Sequence, residues 1–307
     1  MTPPGTPIVP GRAYGFFTDT TLCIGCKACE VACKQWNQLP ADDLRLTGTS
    51  YDNTRQLSAT PWRHVAFIEQ FDRERFAGLV PPAVSAERLR ENLPAEFKPW
   101  GNLTDSEQWA QPGQRWLFMS DVCKHCVSAP CLEACPTGSI VRTEFDTVYV
   151  QQDICNGCGY CQPACPFGVV EVDRERDGKA HKCTLCYDRL KDGLEPACAK
   201  VCPTDSIVFG AVDDLLDRAK KRVGELRGRG IPAYLYGTDG VLEDECDTSR
   251  LKGLNCFFLL IDRPEVYNLP PVPRRPSSNT GRGLLAVAAA ALALTGGTLA
   301  AFRSAAR

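Results

Sequence analysis

The sequence lacks the motifs that would give it a reaction of its own. No catalytic triad can be read from it, no G-x-G-x-x-G follows a strand, and there is no phosphate loop. The isolated chain is therefore not expected to turn over a substrate. It also lacks an excess of either charge: 35 Lys and Arg against 37 Asp and Glu leave −2 over 307 residues. That balance argues against nucleic acid or an anionic surface as a partner. Histidine is scarce, with three residues. Residues 1–10 contain neither a basic nor an apolar segment, so no secretory signal is expected there.

What the chain has is cysteine, 18 residues. The stretch Cys155-Asn156-Gly157-Cys158-Gly159-Tyr160-Cys161-Gln162-Pro163-Ala164-Cys165-Pro166 reads C-x2-C-x2-C-x3-C-P. In that spacing one tight loop supplies three corners of an iron–sulfur cube and the fourth cysteine points to a second cube. Three further quartets follow the same plan: Cys23, Cys26, Cys29 and Cys33; Cys123, Cys126, Cys131 and Cys135; and Cys183, Cys186, Cys198 and Cys202. Pro136, Pro166 and Pro203 follow the last cysteine of their quartets, whereas Lys34 follows Cys33. Gly25, Gly157 and Gly159 suit loops that need positive φ and close approach of backbone N–H to sulfur. Four [4Fe–4S] clusters account for sixteen of the cysteines.

Structural zinc uses paired C-x2-C units but has no use for the triple motif with its trailing Cys-Pro. Disulfides require an oxidising compartment, and C-x2-C pairs are redox-active elements rather than staples. The second and third quartets lie close together, as in a two-cluster ferredoxin, and should pair. The first and fourth then pair around them. Exchange of fourth cysteines within each pair gives four ligand sets: Cys23, Cys26, Cys29 and Cys202; Cys33, Cys183, Cys186 and Cys198; Cys123, Cys126, Cys131 and Cys165; and Cys135, Cys155, Cys158 and Cys161.

The expected fold class is α+β, with two loop-rich ferredoxin-like cluster-binding domains and one C-terminal transmembrane helix. Residues 11–115 and 180–267 form the first domain and residues 116–179 the second. A strand leads into the first quartet and a helical turn leaves it at Ala28. Arg63 to Phe71, Gln114 to Met119 and Thr147 to Gln151 read as strands, and residues 73–113 as an insertion with a short helix near Ser85 to Leu93. Val212 to Arg229 reads as an amphipathic helix, acidic at its start and basic at its end, with Gly230 as C-cap. Its basic run is a solvated face.

Residues 268–282, rich in Pro, Arg and Ser, read as an extended linker. Residues 283–302 follow with no charge and eight alanines. Twenty helical residues rise ~30 Å, the thickness of a hydrocarbon core. The alternative is an alanine-rich tail that is disordered or lies on a surface. Arginines flank both ends, so orientation is not encoded. His125, in a cluster loop, either donates a hydrogen bond to cluster sulfur or is a packed or hydrated imidazole. Lys182, beside Cys183, is the second candidate for contact with a cluster. Cys246 and Cys256 fall outside the quartets, as free thiols or as a disulfide in an oxidising compartment.

These motifs resemble the iron–sulfur beta subunit of membrane-bound respiratory formate dehydrogenase, the formate dehydrogenase-N type. The matching stretches are Cys23-Ile24-Gly25-Cys26-Lys27-Ala28-Cys29 ending in Trp36-Asn37, Gly157 to Cys161 followed by Cys165-Pro166-Phe167, Lys182 to Arg189, and Glu195 to Cys198. The chain departs from the pattern in the 73–113 insertion, in the acidic segment Glu243 to Asp247 and in its short tail. The resemblance implies electron transfer from a molybdenum or tungsten bis-pterin alpha subunit that oxidises formate to a membrane cytochrome b gamma subunit that reduces quinone. It implies that the cluster on Cys23, Cys26, Cys29 and Cys202 receives electrons and that the one on Cys135, Cys155, Cys158 and Cys161 releases them. It further implies export in a folded state with the alpha subunit and anchoring in the bilayer, with the body on the outer face. The equivalent subunit of a hydrogenase or of another molybdopterin oxidoreductase shares the quartets. Anaerobically purified protein is expected to contain iron and acid-labile sulfide equivalent to four cubes per chain; zinc in their place would overturn the reading.

Overall fold

The computed structural model describes residues 7–41, 52, 54–71, 114–238 and 251–305. The expected helix near Ser85 to Leu93, the acidic segment Glu243 to Asp247 and Cys246 lie outside these residues.

Regular structure begins with β1 (Tyr14–Asp19) and α1 (Ala28–Asn37), a ten-residue helix where the sequence predicts a single turn. The helix extends because Cys29 and Cys33, one turn apart, lie on its buried side together with Glu30. The Glu30 carboxylate accepts from Val65 N, which ties α1 to β2 (Arg63–Phe71). β2 pairs antiparallel with β3 (Gln114–Val122), three residues longer than the sequence predicts, in the register Val65 to Ser120.

The segment holding the second and third quartets is built of very short elements. They are α2 (Pro130–Glu133), β4 (Ile140–Arg142), β5 (Val148–Val150), α3 (Cys161–Ala164), β6 (Glu171–Asp173) and β7 (Lys179–His181). β4–β5 and β6–β7 are hairpins, and α2 packs on α3. The fourth quartet supplies α4 (Tyr187–Lys191) and α5 (Ala197–Lys200), and α5 packs on α1.

The polypeptide then returns to the first strand. β8 (Ile207–Ala211) pairs antiparallel with β1; α6 (Val212–Arg227), β9 (Tyr234–Tyr236) and β10 (Cys256–Leu260) complete the unit. The four-stranded sheet has the order β8-β1-β10-β9, with β1 and β10 parallel. Period-2 alternation gives the sheet two buried faces. Phe17, Val208, Leu235, Phe257 and Leu259 meet Leu215, Ala219, Val223 and Leu226 of α6. Tyr14, Phe16, Phe209, Phe258 and Leu260 face the cysteine loops, and one continuous core on that side includes residues of both cluster-binding units. α6 ends at Arg227, and Gly228, not Gly230, caps it; Gly230 follows at φ +77°. Arg222 of α6 binds Asp19 Oδ2 at 2.9 Å and Thr21 Oγ1 at 3.2 Å, fixing the strand end that launches the first cysteine loop.

The linker is less extended than its composition predicts. It holds a 3-10 turn at Pro276–Asn279, and α7 (Thr280–Ala305) follows directly. Among the described residues no helix is long and apolar enough to cross a membrane, so the span expected over 283–302 is not supported there. α7 runs 26 residues, and the side chains described along it include the whole of residues 284–298. All of those side chains are exposed.

Gly15 tests the packing of β1 against the residue before β10. A Cβ there would sit 1.6 Å from the Asn255 carbonyl oxygen, a backbone atom held in place because it accepts from Phe16 N at 3.1 Å. Gly15→Ala is expected to cost at least ~1–3 kcal/mol of stability by overpacking, measured by chemical unfolding of the cluster-loaded protein.

Candidate iron–sulfur centres

Each cysteine loop is positioned by an element on either side of it. Gly25 and Gly157 both adopt positive φ, +68° and +70°, which lets the loop curl back on itself. At Gly157 space is also decisive, because a Cβ would lie 1.9 Å from the Gly178 carbonyl oxygen of the β6–β7 hairpin.

The structure brings the sixteen thiols together in groups. One cavity is lined by Cys23, Cys26, Cys29 and Cys202, with Val65 and Ser120 behind them. The Cys33 thiol is raised well above its usual range by burial first, then by the neighbouring charges of Cys183, Cys198 and Cys186. Cys126 is likewise raised by burial, then by Cys123, Cys165 and Cys131. Cys161 is pushed up to about 11 by burial and by Cys155, Cys158 and Cys135. Among the described residues no group of three or more His, Cys, Asp or Glu could hold a single metal ion; a cube instead distributes its thiolates over four separate irons.

Thiolates placed this way need donors. Ala180 N donates to Cys155 Sγ at 3.4 Å and Leu185 N to Cys183 Sγ at 3.3 Å. Arg63 Nη2 donates to Cys198 Sγ at 3.2 Å. Ser120 Oγ lies 3.2 Å from Cys29 Sγ, and Ser139 Oγ the same distance from Cys135 Sγ. Burial pushes the Cys135 thiol up, but the hydroxyls of Ser139 and Thr137 and two backbone N–H groups outweigh it and draw the thiol down to about 7. Cys29 is pushed up to about 12, by burial above all.

His125 and Lys182 are both buried. His125 Nδ1 accepts from Val148 N at 3.0 Å, so the ring carries its proton on Nε2, which is buried without a protein partner. Burial, then the charges of Lys182, Arg142 and Arg63, hold this histidine well below its usual range and hence neutral. Lys182 Nζ donates to the carbonyls of Val148 and Cys183. Burial disfavours its charge, but Cys123, Cys131, Cys183 and Cys165 outweigh burial and raise it. Arg63 follows the same logic, raised by Cys198, Cys29, Cys183 and Cys33 against burial. An orphaned N–H and two buried cations facing sulfur fit anionic iron–sulfur groups.

Arg63 and Ser120 have no signature in the sequence, for each reaches its sulfur only through folding; Lys124, inside the second quartet, pairs with Asp121. Cys256 is a buried free thiol in β10, outside the groups.

Two family models, each described as a 4Fe-4S dicluster domain, match residues 22–139 and 114–212. The "Formate dehydrogenase, nitrate-inducible, iron-sulfur subunit" of Escherichia coli is 34% identical over 282 residues, 91% of this chain and 78% of that protein. The chain belongs to the formate dehydrogenase iron–sulfur subunits. The "Formate dehydrogenase iron-sulfur subunit" of Haemophilus influenzae is also 34% identical, over 83% of this chain and 68% of its own. A subunit of the E. coli anaerobic dimethyl sulfoxide reductase is 30% identical over 69% of this chain and 78% of its own length. Membership gives the chain two ferredoxin-like dicluster domains of mixed helix and strand. It carries four [4Fe–4S] clusters and acts as an electron carrier, with catalysis on another subunit.

Of the sixteen thiols only Cys26 and Cys158 are exposed. On admission of air or chelator, iron held by the loops of these two residues is expected to leave first. Release of about half the iron in a fast phase, with the buried loops retaining theirs, is the outcome to look for.

Proposed function

We propose that this chain relays electrons from a molybdenum- or tungsten-pterin catalytic subunit acting on formate to a membrane cytochrome b subunit that serves quinone. The four clusters supply one-electron carriers; the residues of this chain hold, space and insulate them. One observation carries the placement of the relay's two ends: of the sixteen quartet thiols, only Cys26 and Cys158 are exposed, and they belong to the sets assigned there. Exposed Ile24 lines the cavity of the first, and exposed Ile154 and Tyr160 flank the second in sequence. Apolar side chains around an exposed ligand are what a partner subunit would cover.

The ligand sets in this reading are those of fourth-cysteine exchange. Cys23, Cys26, Cys29 and Cys202 hold the receiving cluster, and Cys33, Cys183, Cys186 and Cys198 the next. Cys123, Cys126, Cys131 and Cys165 hold the third, and Cys135, Cys155, Cys158 and Cys161 the releasing one. Residues 11–115 with 180–267 form one domain and 116–179 the other. His125 donates its Nε2 proton to sulfur of the middle domain, and Lys182 holds charge between the second and third clusters.

The membrane side of the proposal rests on the tail. Arg275 binds Glu133 at 2.9 Å and Ser277 binds it at 2.8 Å, so α7 departs beside the helix that carries Cys131. Its exposed Leu284, Leu285, Val287, Leu292 and Leu294 then pack in the bilayer against partner helices, where alanine and glycine permit close approach. The body lies on the outer face. Relatives named for formate dehydrogenase align with more of this chain than the dimethyl sulfoxide reductase relative does, which favours formate.

Mild detergent extraction is expected to copurify a large pterin-binding subunit and a cytochrome b, and formate should then reduce the haem. A nickel–iron subunit in that position would assign the chain to a hydrogenase instead.

A further inference from the structure

Arg63 opens β2 with 2% of its surface exposed. Its guanidinium touches the surroundings of two quartets at once. Nη2 donates to Cys198 Sγ at 3.2 Å, and Nη1 donates to Ser120 Oγ at 3.1 Å and to the Ser120 carbonyl at 3.4 Å. Ser120 Oγ in turn lies 3.2 Å from Cys29 Sγ. A hydroxyl has one proton, so an oxygen that accepts from Nη1 is free to direct that proton at Cys29 Sγ. The ring of Phe16 lies 4.8 Å from the guanidinium carbon, and Nε is buried without a protein partner.

A buried guanidinium is permanently charged, and leaving it unpaired is costly. Among the described residues Arg63 makes no ion pair with a carboxylate, and the negative groups around it are the thiols of Cys198, Cys29, Cys183 and Cys33. Its counter-charge is therefore the sulfur ligation itself.

We infer that Arg63, directly at Cys198 and through Ser120 at Cys29, is a positioning residue that links the first two clusters of the relay and holds both their reduction potentials up. The inference rests on the ligand sets proposed above, which place Cys29 and Cys198 on different clusters. Each cube gains one negative charge on reduction, so a fixed cation and an oriented hydroxyl proton beside its sulfurs favour the reduced form. No proton or electron is exchanged at Arg63.

The test is a redox titration, followed by paramagnetic resonance, of the membrane-extracted complex and its variants. Arg63→Met is expected to lower two of the four midpoints. At a fixed potential each affected cluster should show a tenfold smaller reduced-to-oxidised ratio, ~59 mV for a one-electron couple, with the other two unmoved. Ser120→Ala should lower only one of that pair, and Arg63→Lys, which keeps the charge, should stay closer to wild type than Arg63→Met. Four assembled clusters with unmoved midpoints in Arg63→Met or Ser120→Ala would overturn the inference, as would a shift confined to one cluster in Arg63→Met. If Arg63→Met does not assemble, Ser120→Ala decides, because it leaves the guanidinium in place. A wild-type complex lacking four cluster signals would instead sink the underlying reading, whatever the variants do.

Discussion

Thiolate in a dry interior is the constraint that the rest of the molecule answers. Two opposite charges 4 Å apart attract by ~1 kcal/mol in water and ~4 kcal/mol at the effective dielectric of a protein, so sulfur withdrawn from water must be matched at close range. Iron supplies most of that positive charge. The chain adds backbone N–H groups at Cys155 and Cys183, hydroxyls at Cys29 and Cys135, and the buried cations Arg63 and Lys182. Burial favours the protonated thiol, as the upward shifts at Cys33 and Cys126 express; at Cys135 the hydroxyls and N–H groups outweigh it.

That requirement explains why regular structure is so spare around the centres. Loops aim backbone N–H groups at sulfur, whereas helices and strands spend theirs internally. The helices that touch the quartets are therefore mostly four or five residues long, and α1 is the exception because two of its cysteines share a face. Rigidity comes from the four-stranded sheet instead. Its aromatic face, with Tyr14, Phe16, Phe209 and Phe258, closes over the cluster side, and α6 seals the other. Stability and cluster geometry are coupled through one core, so the two cluster-binding units do not stand as independent bodies.

In the proposed relay the same arrangement marks the two ends. Of the sixteen quartet thiols fourteen are buried or half-buried, and Cys26 and Cys158 are exposed. The tether of Arg275 and Ser277 to Glu133 fixes the start of the C-terminal helix beside the helix that carries Cys131.

Much of this was legible before folding. The quartets, the strand Arg63–Phe71 and the amphipathic helix from Val212 appear where local spacing and periodicity put them. The ten-residue α1, the turn at Pro276–Asn279 and the shift of the α6 cap to Gly228 were not legible, because packing partners set where a helix begins and ends. The amino-acid order alone determined that iron–sulfur cubes are bound and how many, since three ligands from one tight loop are a matter of local geometry. Tertiary structure alone decided what surrounds them. Arg63 meets Cys198 across 135 residues and Ser120 meets Cys29 across 91, and contacts closed over such distances leave no trace in local spacing.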